Sequence, residues 1–202
     1  MSKTRGSSKQ KMSRISKSPT KMFSEKGLLR YSSGWLFSDP GPRTVLLALT
    51  VLTFAMLAPY ANKAFHMDDT LFLKVASQIT SNPVDPYRFK VNWYGTEMDM
   101  FDVNKNPPLA SYYQALVAAV VGWSETAMHL AFIPFAVLVV TGTYLIARGR
   151  TPAPVMAALA ALLAPTFLVS STNVMCDTMM LAMFVWASFF WVDGIDRNSR
   201  GR

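Results

Sequence analysis

The chain has 202 residues, 51% hydrophobic and 16% charged, with thirteen Met, thirteen Phe and five Trp. A soluble domain carries roughly a quarter charged residues, so this composition fits a chain solvated partly by lipid. The net charge of +8 could suggest nucleic acid, but the placement of the charge argues against that partner.

Residues 1–43 hold ten Lys and Arg against Glu25 and Asp39, in a Ser-rich segment with few apolar residues. Such a segment cannot bury enough surface to fold and is expected to be a disordered cytoplasmic tail. A basic tail ahead of a membrane span follows the positive-inside pattern, with anionic lipid as its expected partner. Nucleic acid is disfavoured, because no aromatic residue interrupts the basic run up to Lys21.

Residues 44–61 (TVLLALTVLTFAMLAPYA) carry no charge and approach the length that spans a bilayer core. Pro59 lies near the far end, where a lost helix bond costs little, and Tyr60 suits the headgroup level. This is the first span, running outward. Residues 62–125 have mixed polarity, with five basic residues (Lys63, Lys74, Arg88, Lys90, Lys105) against seven acids. Their balance is opposite in sign to the leader, as an outer loop requires. Within it, Leu71, Phe72, Val75, Ala76 and Ile79 recur at helical spacing and predict an amphipathic surface helix over 69–80. Residues 81–105 read as loop, punctuated by Asn82-Pro83, Asp85-Pro86 and Tyr94-Gly95.

Asn106-Pro107-Pro108-Leu109 reads as a helix start, with Asn as cap and Pro in the first turn. The helix it opens runs to Val121 and is a second surface helix or a shallow re-entrant one. Residues 126–147 form the second span, with Arg148 and Arg150 at its cytoplasmic end. Residues 152–171 form the third span, 172–177 an outer turn, and 178–192 the fourth span with Trp186 and Trp191 as anchors. The tail 193–202 returns to the cytoplasm. The fold class is therefore an all-α polytopic membrane protein: about four transmembrane helices and two outer-face juxtamembrane helices, with both termini inside and 62–125 outside.

Chemistry concentrates on the outer face. Asp68 and Asp69 open the first surface helix. They can serve as a cap and a first-turn acid, or as carboxylates held at the membrane edge to take a proton from a hydroxyl. Asp177, ahead of the fourth span, is either a cap or an acid turned towards a cavity. Lys105 and Arg88 could meet a phosphate, although solvated loop charge is the commoner reading. His66 beside two Asp makes a poor metal site, so no metal or other cofactor is expected. His129 is expected to bond a neighbouring helix, and Cys176 to be an inert packed thiol. No phosphate loop, dinucleotide fingerprint, nucleophile elbow or zinc spacing occurs.

Together these features resemble the N-terminal half of a GT-C glycosyltransferase. The closest group is the protein mannosyltransferase/aminoarabinose transferase superfamily (glycosyltransferase family 39-like), over roughly residues 44–192. Its outer-loop acid pair is matched by Asp68-Asp69, and its Pro-Pro-Leu motif by Asn106-Pro107-Pro108-Leu109. A further family acid before a later span is matched by Asp177. The resemblance implies inverting transfer of a sugar from a polyprenyl-phosphate donor to an acceptor hydroxyl at the outer face of the cell membrane. In it Asp68 is the base, Asp69 its support, and Lys105, Asn106, Pro107, Pro108, Asp177 and Arg88 line the substrate site. Some members carry Lys or His where this chain has Asn106. Family enzymes are usually more than twice this length, so a further membrane chain or continuation is expected to complete the donor pocket. The competing expectation is a non-enzymatic four-span scaffold or transporter subunit.

Overall fold

The computed structural model describes residues 41–200, with the backbone alone for 198–200. The basic segment expected to be disordered lies, up to residue 40, outside the described residues. Its end, Pro42 and Arg43, belongs to the first helix.

In chain order the elements are α1 (Pro42–Leu57), prolonged by a 3-10 turn over Ala58–Tyr60, then α2 (Asp69–Ser81) and the strands β1 (Lys90–Asn92) and β2 (Glu97–Asp99). They continue with α3 (Met100–Val103), α4 (Leu109–Val121), α5 (Glu125–Arg148), α6 (Pro154–Leu162), α7 (Pro165–Ser171) and α8 (Cys176–Arg200). The chain is an all-α polytopic membrane protein with one small hairpin. α1, α5 and α8 are long and apolar enough to cross a membrane, and α6 with α7 makes a fourth crossing if the bent pair is one span.

α5 is the axis of the bundle. Ile133, Ala136, Val139, Val140 and Tyr144 pack on Val45, Leu49 and Leu57 of α1, Ala158 and Leu162 of α6, Phe167 of α7 and Ala182 of α8. Gly142 lets α8 approach closely: an added Cβ there would meet Val185 Cγ1 at 2.6 Å. The outward apolar side chains of α1 and α8, among them Leu47, Val51, Phe184 and Trp191, suit lipid. Several hydroxyls inside the spans bond back to their own helices. Thr53 donates to the Leu49 carbonyl (2.8 Å), Thr141 to Val137 (2.7 Å) and Thr143 to Val139 (2.7 Å).

Residues 152–171, expected as one span, are two helices bent by 60° across Leu163 and Ala164. Pro165 lacks an N–H, and its ring clashes with the carbonyl four residues back, so α6 ends and α7 restarts with Pro in its first turn. Residues 81–105, expected as loop, contain the antiparallel hairpin, with Val91 opposite Met98. Gly95 supplies its turn at φ +85°, a left-handed conformation that an L side chain resists. Val91 is buried against Leu71, Val75 and Ile79 of α2, Met100 and Ala115.

α4 turns its small and polar face, Ala110, Ser111, Gln114, Ala115 and Ala118, inward. The apolar stripe of Leu109, Leu116 and Val120 faces outward. Its 13 residues give about 20 Å, short of the roughly 30 Å of a bilayer core.

Four contacts assign the ends of the bundle. Lys63 Nζ donates to Thr172 Oγ1 (3.1 Å) and Asn173 Oδ1 (2.6 Å), and Phe65 stacks on His129 at 5.5 Å. The segment after α1, the start of α5 and the α7–α8 turn therefore share one end, the aspartate end. At the opposite, arginine end, Arg150 Nη2 meets Asp196 Oδ2 at 2.9 Å.

Candidate active site

The two adjacent acids have opposite environments. Asp69 is wholly buried. Its Oδ2 accepts from the His66 backbone N–H (2.7 Å) and its Oδ1 from the Val174 N–H (3.0 Å), across 105 residues of sequence. Burial pushes its pKa above the ordinary value, against the pull of those two N–H groups and of nearby His129 and Lys63. Asp68, one residue earlier, has a side chain 44% exposed. It stands at the N-cap position of α2 with helical backbone angles and makes no capping hydrogen bond. The cap that could have accounted for it is absent. The His66 imidazole lies beside it, with Nδ1 4.0 Å from Oδ2, and His66 Nδ1 accepts from the Asp68 N–H at 3.3 Å.

The turn Thr172–Met175 is what Asp69 holds, and it is held from three sides. Lys63 grips Thr172 and Asn173, Asp69 takes the Val174 N–H, and Gln114 Nε2 donates to the Val174 carbonyl at 2.5 Å. Ser111 Oγ donates to the Phe72 carbonyl (2.9 Å), fixing α4 to α2. Phe72, Ala110 and Met179 then pack as one cluster, which brings the N-terminal parts of α2, α4 and α8 together. Each first turn leaves backbone N–H groups without helix partners and carries the positive end of its dipole.

The Pro-Pro-Leu segment differs from expectation in one respect. Pro108, not Asn106, occupies the N-cap position of α4, and Tyr112 N–H bonds the Pro108 carbonyl at 2.9 Å. Asn106 folds back instead: its Nδ2 donates to Asn104 Oδ1 at 2.9 Å, and its carbonyl accepts from the Tyr87 hydroxyl. Two prolines remove the donors a cap would serve, which leaves the Asn side chain free to bond locally. The Tyr87 contact ties the Arg88 loop to the Lys105 loop. Lys105 is exposed, Arg88 is exposed beside Asp85 at 4.0 Å, and Asp177 is exposed in the first turn of α8. Among the described residues no hydrogen bond or ion pair joins Asp68 to Lys105, Arg88 or Asp177. These groups ring the same end without touching.

The family model described as dolichyl-phosphate-mannose-protein mannosyltransferase matches residues 105–201. Over those residues, just under half of the chain, the protein is similar to this family. It is a family of membrane glycosyltransferases of GT-C type. No curated protein and no solved structure matches the chain.

The mannosyltransferase match begins at Lys105 and takes in Asn106-Pro107-Pro108, all of α4 to α7, and Asp177. Asp68 and Asp69 precede it, and the structure joins them to it through the Asp69–Val174 and Ser111–Phe72 bonds. Sequence reasoning missed Lys63, Gln114 and Asn173 as parts of this corner. Gln114 alone carried a signal, a polar residue between apolar neighbours on a helix. His129 was expected to bond another helix, but its Nδ1 bonds the Glu125 carbonyl of its own helix (2.8 Å). Among the described residues no cluster of His, Cys, Asp and Glu could hold a metal ion.

Proposed function

We propose that the chain transfers a sugar from a polyprenyl-phosphate donor to an acceptor hydroxyl at the outer face of the membrane, with inversion, and that Asp68 is the base. One observation carries this reading: of two adjacent acids, the fold consumes Asp69 entirely and leaves Asp68 half-exposed and uncapped. The acceptor O–H gives its proton to the Asp68 carboxylate as the oxygen bonds to the anomeric carbon. The bond from that carbon to the phosphate oxygen breaks on the opposite face, and polyprenyl phosphate leaves with the electron pair. Configuration at carbon inverts. Charge on the leaving phosphate is offset by the first turns of α2, α4 and α8, and by Lys105 and Arg88. Asn106, Pro107, Pro108 and Asp177 shape the rim of that site.

In this proposal the aspartate end faces outward and the arginine end the cytoplasm, as the positive-inside rule asks of Arg148, Arg150 and Arg197. The test reconstitutes the full chain in vesicles with a polyprenyl-phosphate-linked hexose and a hydroxyl acceptor. The wild type gives product of inverted configuration. Asp68→Asn is slower by about 10²–10⁴-fold, the usual contribution of a positioned base, with insertion unchanged. No transfer by the wild type, retained configuration, or full activity in Asp68→Asn would each contradict the proposal.

A further inference from the structure

An apolar groove lies between α1 and α7 at the aspartate end. Met56, Leu57 and Tyr60 at the end of α1 face Leu168, Val169 and Thr172 of α7 and its C-cap across this open groove. Tyr60 is 56% exposed at its rim, where an aromatic ring with a hydroxyl suits the headgroup level. The Thr172 hydroxyl that lines the groove also accepts from Lys63 Nζ, so a lysine ammonium stands at its polar mouth.

Lys63 is half-buried, and its two hydrogen-bond partners, Thr172 Oγ1 and Asn173 Oδ1, are both neutral. Among the described residues no carboxylate lies within 4.0 Å of it. Asp69, whose charge is felt nearby, has both oxygens occupied by backbone N–H groups. An ammonium has three N–H donors, so one remains for a further acceptor. A fixed cation with a spare donor beside an open apolar groove is complementary to a phosphate that carries a hydrocarbon chain.

We propose that Lys63 and the α1–α7 groove bind the phosphate and one acyl chain of an anionic phospholipid of the leaflet at this end. The apolar walls favour a lipid over free phosphate, since chain burial supplies most of such binding. A net anionic headgroup is preferred because a choline would set a second cation beside Lys63. Lys63 and Thr172 belong both to this site and to the turn that Asp69 holds, but neither has a part in the proposed transfer reaction, so the inference does not rest on it.

The test measures lipids retained by the purified full chain in nanodiscs of mixed phosphatidylglycerol and phosphatidylcholine, by native mass spectrometry. The wild type retains phosphatidylglycerol preferentially. Lys63→Gln lowers that preference about five-fold, the effect of one basic side chain at a membrane surface, whereas Lys63→Arg keeps it. Asn173→Asp neutralises Lys63 while leaving the contact to the turn in place, and lowers the preference equally, which covers the case that Lys63→Gln fails to fold. Val169→Trp fills the groove and also lowers retention. Glycerol phosphate, the soluble head alone, does not compete. An unchanged preference in Lys63→Gln or in Asn173→Asp overturns the proposal. So does full competition by glycerol phosphate, which would mean a site for free phosphate.

Discussion

Replacing Asp69 by Ala removes the acceptor for two backbone N–H groups, those of His66 and Val174. Val174 is fully buried, and the His66 bond is partly so. A buried donor left unsatisfied costs about 1–3 kcal/mol, so Asp69→Ala should destabilise the fold by about 2–6 kcal/mol. That is a large share of a typical domain's stability of roughly 5–15 kcal/mol. Asp69→Asn keeps one acceptor oxygen but turns an amide NH₂ towards the other donor, for a loss of about 1–3 kcal/mol. The pH dependence follows from linkage. Burial raises the folded-state pKa of Asp69, so the folded state holds the proton more tightly than the unfolded chain. The contribution of this group is full below its ordinary value of 3.8 and is lost as pH rises through the raised folded-state pKa. Equilibrium unfolding in detergent micelles, followed by near-UV circular dichroism across that pH range, measures both effects. The Asp69→Asn curve should lack the decline. Asp69→Ala within about 0.5 kcal/mol of the wild type, the scatter of ordinary surface changes, would refute the reasoning.

Two further predictions concern the frame that holds the site. Gly142→Ala places a Cβ 2.6 Å from Val185 Cγ1 and 3.3 Å from Trp186 Nε1, so α5 and α8 must separate. The expected loss is about 1–3 kcal/mol, as for other overpacked contacts, read by the same unfolding assay; a neutral substitution would mean the two helices do not cross there. In a Cys176→Ser background, a cysteine at Gly95 should react with a membrane-impermeant maleimide added outside, and one at Gly149 only after permeabilisation. The reverse pattern would invert the proposed topology.

How much of this was readable in the sequence depends on the range of the interaction. The charge-free runs that became α1, α5 and α8 were legible because membrane helices satisfy their own backbone, leaving local composition to decide them. The α2 stripe was legible for the same local reason. The break at Pro165 was equally local and was overlooked, because hydropathy averages over a window and Pro changes hydrogen bonding rather than polarity. The hairpin escaped because its strands are three residues each, and only Val91 signals a buried face. The different burial of Asp68 and Asp69 could not be read from the residues, and only the family resemblance gave them different parts. That burial is set by the Val174 N–H, 105 residues away, and nothing about two neighbouring aspartates says which one will meet it. Asn106 shows the converse: a residue with strong cap character gave up that role because the two prolines after it removed the donors.

The central claim is that Asp69 positions and Asp68 reacts. It is tested most directly by measuring sugar transfer and unfolding free energy side by side for Asp68→Asn and Asp69→Asn. The account predicts that Asp68→Asn loses transfer by about 10²–10⁴-fold while its stability stays within about 0.5 kcal/mol of the wild type. Asp69→Asn should lose stability by about 1–3 kcal/mol and, where it remains folded, keep most of its transfer rate. Transfer that survives in Asp68→Asn and vanishes in folded Asp69→Asn would contradict the account.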